Sequence, residues 1–186
     1  MQELSLNVLD IAQNSVRAGA KLIEITVEEQ PKTDLLTITI GDDGCGMTAQ
    51  QVSAVTDPFF TTRTTRKVGL GVPLLKMASE MTGGEFSIVS ALGEGTVVKA
   101  TFGLTHIDRM PLGDIGATIC TLVQCNPEID FVYTFIHSDK SFSADTRQFR
   151  QVLEGVPLNS PEVIRFIGEF IRENTAEILN GEREEI

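Results

Sequence analysis

The chain has no tryptophan, one tyrosine, two histidines and three cysteines among its 186 residues. The cysteines, Cys45, Cys120 and Cys125, are odd in number and widely spaced. They fit a reducing, cytoplasmic compartment better than a disulfide framework. Cys120 and Cys125 are too few for a structural zinc site. On one helix they would not share a face, and buried thiols are the expected state. No apolar run approaches the roughly 20 residues that span a bilayer, and the N-terminus lacks the basic-then-apolar pattern of a signal peptide. Positive charge is scarce: 15 Lys and Arg face 26 Asp and Glu, a net charge of −11. This balance argues against duplex nucleic acid and anionic membrane surfaces as partners. An apolar fraction of 41% is enough to build a core without covalent staples.

Periodicity divides the chain into short elements. Residues 3–18 place Leu6, Leu9, Ile11, Ala12 and Val16 near helical spacing, with Gly19 as a left-handed cap. Residues 22–28 and 35–40 alternate as strands about a turn at Pro31-Lys32-Thr33-Asp34, which predicts an antiparallel pair. A glycine-rich loop follows at 41–47, a short helix at 48–53, an irregular stretch at 57–68 and a helix over 69–81. Strands are predicted at 85–90 and 96–104. The order of helix, two strands, loop, helix and two strands predicts an α+β fold, a two-layer α/β sandwich. After Leu104 the composition shifts. Helices are expected over 110–125, 145–153 and 161–179, and strands over 130–137 and 141–143. The helix over 161–179 sets Ile164, Ile167, Phe170, Ile171 and Ile178 on roughly one face. Residues 1–104 are thus expected to form one domain, and 105–186 a small α/β extension.

Four segments carry chemistry-bearing residues. Asp10 and Asn14, four apart, share one helical face. Such a pair can ligate magnesium through the Asn oxygen and orient a water with the Asp, and it can equally be a solvated polar stripe. Asp42-Asp43-Gly44-Cys45-Gly46-Met47 directly follows a strand. Gly44 and Gly46 would let the backbone turn tightly beside a planar ligand, with a fixed Asp accepting from an amine; a plain Asp-Gly turn is the alternative. The third segment runs Phe59-Phe60-Thr61-Thr62-Arg63-Thr64-Thr65-Arg66-Lys67-Val68 into Gly69-Leu70-Gly71 at a helix start. Three cations before a helix N-terminus suit an anionic ligand. The fourth, Leu92-Gly93-Glu94-Gly95-Thr96, is a hairpin turn.

Taken together, these segments resemble the nucleotide-binding boxes of the GHKL superfamily of histidine kinases, gyrase, heat-shock chaperone ATPases and mismatch-repair ATPases. Asp10…Asn14-Ser15-Val16-Arg17-Ala18-Gly19-Ala20 resembles the N box, and Asp42-x-Gly44-x-Gly46 the first glycine box. Asp57-Pro58-Phe59-Phe60-Thr61-Thr62 is similar to the histidine-kinase F box, Gly69-Leu70-Gly71 to the second glycine box, and Gly93-Glu94-Gly95-Thr96 to the last. The resemblance covers about residues 4–103. It implies the Bergerat-type ATP-binding fold with ATP and Mg2+ as cofactors. Asn14 would be the metal ligand, Asp42 the acceptor of the adenine amine with Thr96 assisting, and Gly44 and Gly46 the shapers of that pocket. Arg17 matches a phosphate-contacting position of histidine kinases. Residues 57–71 would form the lid, with Thr62, Lys67, Gly69, Leu70 and Gly71 at the nucleotide. Asp10 is the catalytic candidate, in the place usually held by a longer glutamate, and Lys67 stands where many histidine kinases have a glycine.

With the N-box-like segment starting almost at Met1, dimerisation helices with a phosphoacceptor histidine are expected to be absent, and His106 and His137 read as structural. The implied activity is therefore a Mg-ATP-dependent protein kinase or ATPase, a transferase in the former case, acting on a separate protein partner. The alternative is a non-catalytic switch that binds its partner when ATP orders the lid. A mismatch-repair-like clamp would need a larger transducer domain than 105–186. That segment is expected to bind a partner or to dimerise, so a homodimer is among the expected states.

Overall fold

The computed structural model describes residues 3–56 and 71–180. Helix α1 (Leu4–Arg17) buries Leu4, Val8, Ile11, Ala12 and Ser15 along one stripe. Two N–H groups of its first turn are satisfied from far along the chain: Leu4 N donates to the Pro111 carbonyl at 2.9 Å and Ser5 N to that of Leu112 at 2.8 Å. Its other end closes on Gly19, whose φ of +75° is the left-handed cap expected there. Strand β1 (Leu22–Gln30) then pairs antiparallel with β2 (Leu35–Asp42), in register Ile25 to Ile40, across a 3₁₀ turn at Pro31–Thr33.

Helices α2 (Ala49–Thr56) and α3 (Gly71–Met81) precede the hairpin of β3 (Phe86–Ala91) and β4 (Gly95–Gly103). Helix α4 (Ile115–Cys125), strands β5 (Asp130–His137) and β6 (Lys140–Asp145), and helices α5 (Thr146–Val152) and α6 (Pro161–Asn180) complete the chain. The six strands form one sheet in the order β3-β4-β2-β1-β5-β6. Every neighbouring pair is antiparallel except β1 and β5, which run parallel from Leu22 opposite Asp130 to Glu29 opposite His137. A parallel neighbour cannot be reached by a tight hairpin; residues 104–129, with α4 among them, supply the connection into β5.

Alternation along the strands sends Ile23, Ile25, Val27, Leu36, Ile38, Ile40, Val98, Ala100, Phe102, Phe131, Tyr133 and Phe135 into one core. Helix α1 packs against α3 and α4, and α4 packs against α6. The result is the expected α+β sandwich. The helix expected over 110–125 begins instead at Ile115. Gly113 has a φ of +75°, and the Asp114 side chain accepts the Ala117 N–H at 2.8 Å, an N-cap that sets the start. The paired-thiol expectation also needs correction: Cys120 is half-buried but Cys125 is exposed. Five residues turn a helix by about 140° beyond one full turn, so only one of the two can meet the core.

Candidate functional site

The C-terminal half of α1, the end of β2 with its glycine loop, and the β3–β4 hairpin enclose a cavity of about 310 Å³. Asn14, Ser15 and Arg17 reach it from α1, Asp42 from β2, Cys45 and Gly46 from the loop, and Thr96 from β4. Ile11, Val72, Ile88 and Val98 supply apolar wall. A mostly apolar pocket with a few fixed polar groups is the usual form of a small-molecule site.

Asp42 is held by both carboxylate oxygens. Ser15 Oγ donates to Oδ2 at 2.6 Å, and the Gly44 N–H donates to Oδ1 at 2.9 Å. These bonds fix the carboxylate plane and leave lone pairs for a further donor. Beside Asp42, Thr96 is its direct neighbour across β2 and β4. Next to Thr96 on β3, Ser90 Oγ accepts the Met47 N–H at 2.8 Å, donates to the Gly95 carbonyl at 2.9 Å and shares a hydrogen bond with Thr96 Oγ1 at 2.8 Å. Asn14 Oδ1 accepts from the Arg17 guanidinium at 3.1 Å, which keeps the amide and the cation together at the rim. The next residue of the loop, Asp43, does structural work. Its Oδ1 accepts the N–H groups of Lys21 at 2.7 Å and Leu22 at 2.9 Å, tying the start of β1 to the end of β2. The Leu22 N–H, more than any other group, holds the Asp43 carboxyl below its ordinary range.

The glycines act partly on the protein itself. Gly46 has a φ of +66°, and a Cβ there would run into the Ala91 carbonyl. A Cβ on Gly44 would stand 2.9 Å from the Ala18 Cβ. Both glycines therefore let the loop close on its neighbours, α1 for Gly44 and the hairpin for Gly46, and the Gly93 N–H seals that contact by donating to the Cys45 carbonyl at 2.9 Å. Gly71 opens α3 against α1, where its Cβ would lie 2.8 Å from that of Asp10.

Of the residues singled out from sequence, Asn14, Arg17, Asp42, Gly46 and Thr96 line the cavity, and Gly44 braces Asp42. Asp10 is exposed and packs on Gly71; it is not part of the cavity wall. Thr62, Lys67, Gly69 and Leu70, with the F-box-like run, lie outside the described residues. Sequence reasoning assigned no role to Ser15 or Ser90. The signal at Ser15 is a hydroxyl on the buried stripe of an amphipathic helix, where an unpaired polar group would be costly. His137 is 8% exposed, with Nδ1 2.9 Å from Glu29 Oε2. Among the described residues no helix is long and apolar enough to cross a membrane.

The first half of the chain is similar to a known family. Residues 1–106 match the family described as histidine kinase-, DNA gyrase B-, and HSP90-like ATPase. An uncharacterized sensor-like histidine kinase of Rhizobium meliloti is 37% identical over 105 residues, 54% of this chain and 19% of that protein. The non-motile and phage-resistance protein of Caulobacter vibrioides is 30% identical over 123 residues, 63% of this chain and 15% of its own length. Among solved structures, the Aquifex aeolicus MutL ATPase domain complexed with ADP superposes with a TM-score of 0.49 at 13% identity, covering 83% of this chain and 70% of that one. The chain thus spans less than a fifth of the length of these sequence relatives. With its match running through more than half of the residues, the chain belongs to the histidine kinase-, DNA gyrase B- and HSP90-like ATPase family.

Proposed function

We propose that the cavity beside Asp42 binds the adenine of ATP and that the chain is a Mg-ATP-dependent protein kinase or ATPase acting on a separate protein. The observation that carries this reading is the doubly anchored Asp42 carboxylate at a cavity shared with Asn14, Arg17 and Thr96. A carboxylate fixed in that way discriminates an exocyclic amine from a carbonyl, because only the amine can donate to it. Thr96, steadied by Ser90, would assist from the neighbouring strand, where it is paired with Asp42. Arg17 at the rim would meet the phosphates, and the N–H groups opening α3 at Gly71 would approach them from the other side.

Among the described residues no cluster of three His, Cys, Asp or Glu side chains is arranged to hold a metal ion alone. Magnesium bound to a nucleotide needs no such cluster; it takes one or two protein oxygens, phosphate oxygens and waters. Asn14 Oδ1 at the rim fits that role. When bound, the ion would neutralise phosphate charge. The C-terminal segment would then serve as the partner-binding or dimerisation part.

One observation favours the second reading, a non-catalytic switch. The carboxylate assigned to catalysis, Asp10, packs on Gly71 and lies outside the cavity wall. Purified chain incubated with γ-labelled ATP and Mg2+ separates the two. Phosphate release or partner labelling that disappears in Asp10→Asn while nucleotide binding persists supports the enzyme. Retained nucleotide with no turnover in the wild type supports the switch. Failure to retain nucleotide at all, with Asp42→Asn behaving like the wild type, overturns both.

A further inference from the structure

A second and larger cavity, of about 590 Å³, lies between α4, α6 and the β5 face, in the part of the chain that the nucleotide site does not use. Its volume falls within the roughly 300–1,000 Å³ of ordinary small-molecule pockets. Ile115, Ile171, Phe135 and Leu179 make much of the wall apolar. Glycines keep the two helices close. A Cβ on Gly168 would meet Cys120 Sγ at 3.2 Å, and one on Gly116 would meet Ile171 Cγ2 at 3.4 Å.

Several polar groups on this wall are already engaged. Asp114 caps α4 through the Ala117 N–H, Glu29 pairs with His137, and Thr175 Oγ1 donates to the Ile171 carbonyl. Two others are not. Tyr133 is 2% exposed, yet its hydroxyl makes no hydrogen bond among the described residues. Arg172, which also lines the cavity, has no ion pair or hydrogen bond among them, in a chain of net charge −11. A hydroxyl that lines a cavity and has no protein partner is free to donate to a ligand, and a guanidinium beside an apolar cavity is suited to a carboxylate. Glu29 and Asp114 line the same space and would repel a dianion such as a phosphate monoester.

We propose that this cavity binds a small organic monocarboxylate with an aliphatic body, the carboxylate taken by Arg172 and the Tyr133 hydroxyl and the body by the apolar wall between α4 and α6. The Tyr133 phenol stays protonated far above neutral pH because burial, and secondarily the Glu29 charge, disfavour its ionised form, so it is a donor to such a ligand.

The chain carries its own reporter, because Tyr133 is the only tyrosine and there is no tryptophan. Decanoate below its micellar range is titrated into the full chain while tyrosine emission is recorded, with decanol as the neutral probe of the same length. The expected result is saturable quenching by decanoate at one site, with decanol binding about tenfold or more weakly for want of a charge-assisted bond. Arg172→Gln, an exposed change with little reason to disturb folding, should erase that preference. Ala176→Phe, which fills the cavity from an exposed helical position, should weaken both probes. Tyr133→Phe is followed by calorimetry and should weaken decanoate about three- to tenfold, the loss of one hydrogen bond to a charged group. Equal binding of decanoate and decanol, a preference for decanoate that survives in Arg172→Gln, or no saturable binding to the folded wild type overturns the proposal.

Discussion

Ser15 donates its hydroxyl proton to Asp42 Oδ2 across 2.6 Å, joining the buried stripe of α1 to the last residue of β2. The bond spans 27 positions of sequence and fixes the Asp42 carboxylate at the cavity. Ser15 is 4% exposed, so its hydroxyl has little access to water as a substitute partner.

This pair sets the first prediction. Ser15→Ala leaves Asp42 with the Gly44 N–H alone and frees its carboxylate to rotate. A hydrogen bond to a charged group is worth about 1.5–3 kcal/mol, so nucleotide affinity should fall by about tenfold or more. Asp42→Asn places either an amide nitrogen or a weaker acceptor in the pocket and should cost more, about a hundredfold. Titration with a fluorescent ATP analogue measures both. Equal affinity in Ser15→Ala and wild type would show that the Gly44 anchor suffices.

The second prediction separates two reasons for glycine. Gly19 and Gly46 have similar left-handed φ values, +75° and +66°, but nothing lies within 4 Å of a Cβ on Gly19, whereas one on Gly46 meets the Ala91 backbone. Gly19→Ala should therefore cost about 1 kcal/mol, the price of the conformation. Gly46→Ala should cost about 2–4 kcal/mol, because backbone on both sides of the contact must also shift. Urea denaturation of the two variants decides the matter. Equal losses would mean that the loop yields freely at Ala91.

Local pattern made much of this architecture legible. Phe131, Tyr133 and Phe135 alternate so clearly that they mark out the strand 130–137, and the stripe of α6 buries Ile167, Ile171 and Ile178 as its spacing implies. The parallel pairing of β1 with β5 left no such trace. It joins residues over a hundred positions apart, and either strand reads the same whatever its neighbour. At the site, the residue types with familiar spacing, Asn14, Asp42 and Thr96, could be read. Ser15 and Ser90 could not, because a serine's partner is settled only when helix and strand pack together.

The third prediction concerns acid. Asp43 and Asp145 both have carboxyl groups held below the ordinary value of 3.8, Asp43 chiefly by the Leu22 N–H and Asp145 chiefly by the Arg147 side chain. The unfolded chain binds these protons more readily than the folded one. The stability they supply is thus intact above the ordinary value and is lost as pH falls through the lowered values. Denaturation midpoints measured between about pH 2 and pH 6 should drop at the acid end for the wild type. In Asp43→Asn with Asp145→Asn that drop should be shallower, because the neutral-pH midpoint falls toward the acid one once neither carboxylate is present. An unchanged acid limb in the double variant would place the acid-sensitive groups elsewhere.

The last prediction is a gain. Asn7 on α1 is fully buried, and neither its Oδ1 nor its Nδ2 has a hydrogen-bond partner among the described residues. Beside it lies a cavity of about 220 Å³ lined by Leu74, Met77, Ala78, Met81, Asp108 and Met110. Each unpaired amide atom carries a desolvation cost with no compensating bond. Leucine has the same branching at Cγ, and its extra volume has the adjoining space to enter. Asn7→Leu should therefore raise stability by about 1–3 kcal/mol and move the urea midpoint upward without changing the slope of the transition. Asn7→Asp should move it downward, because the buried group would then carry a charge or a shifted proton. A midpoint that falls in Asn7→Leu would show that the amide is paired in solution and that α1 depends on the bond it makes.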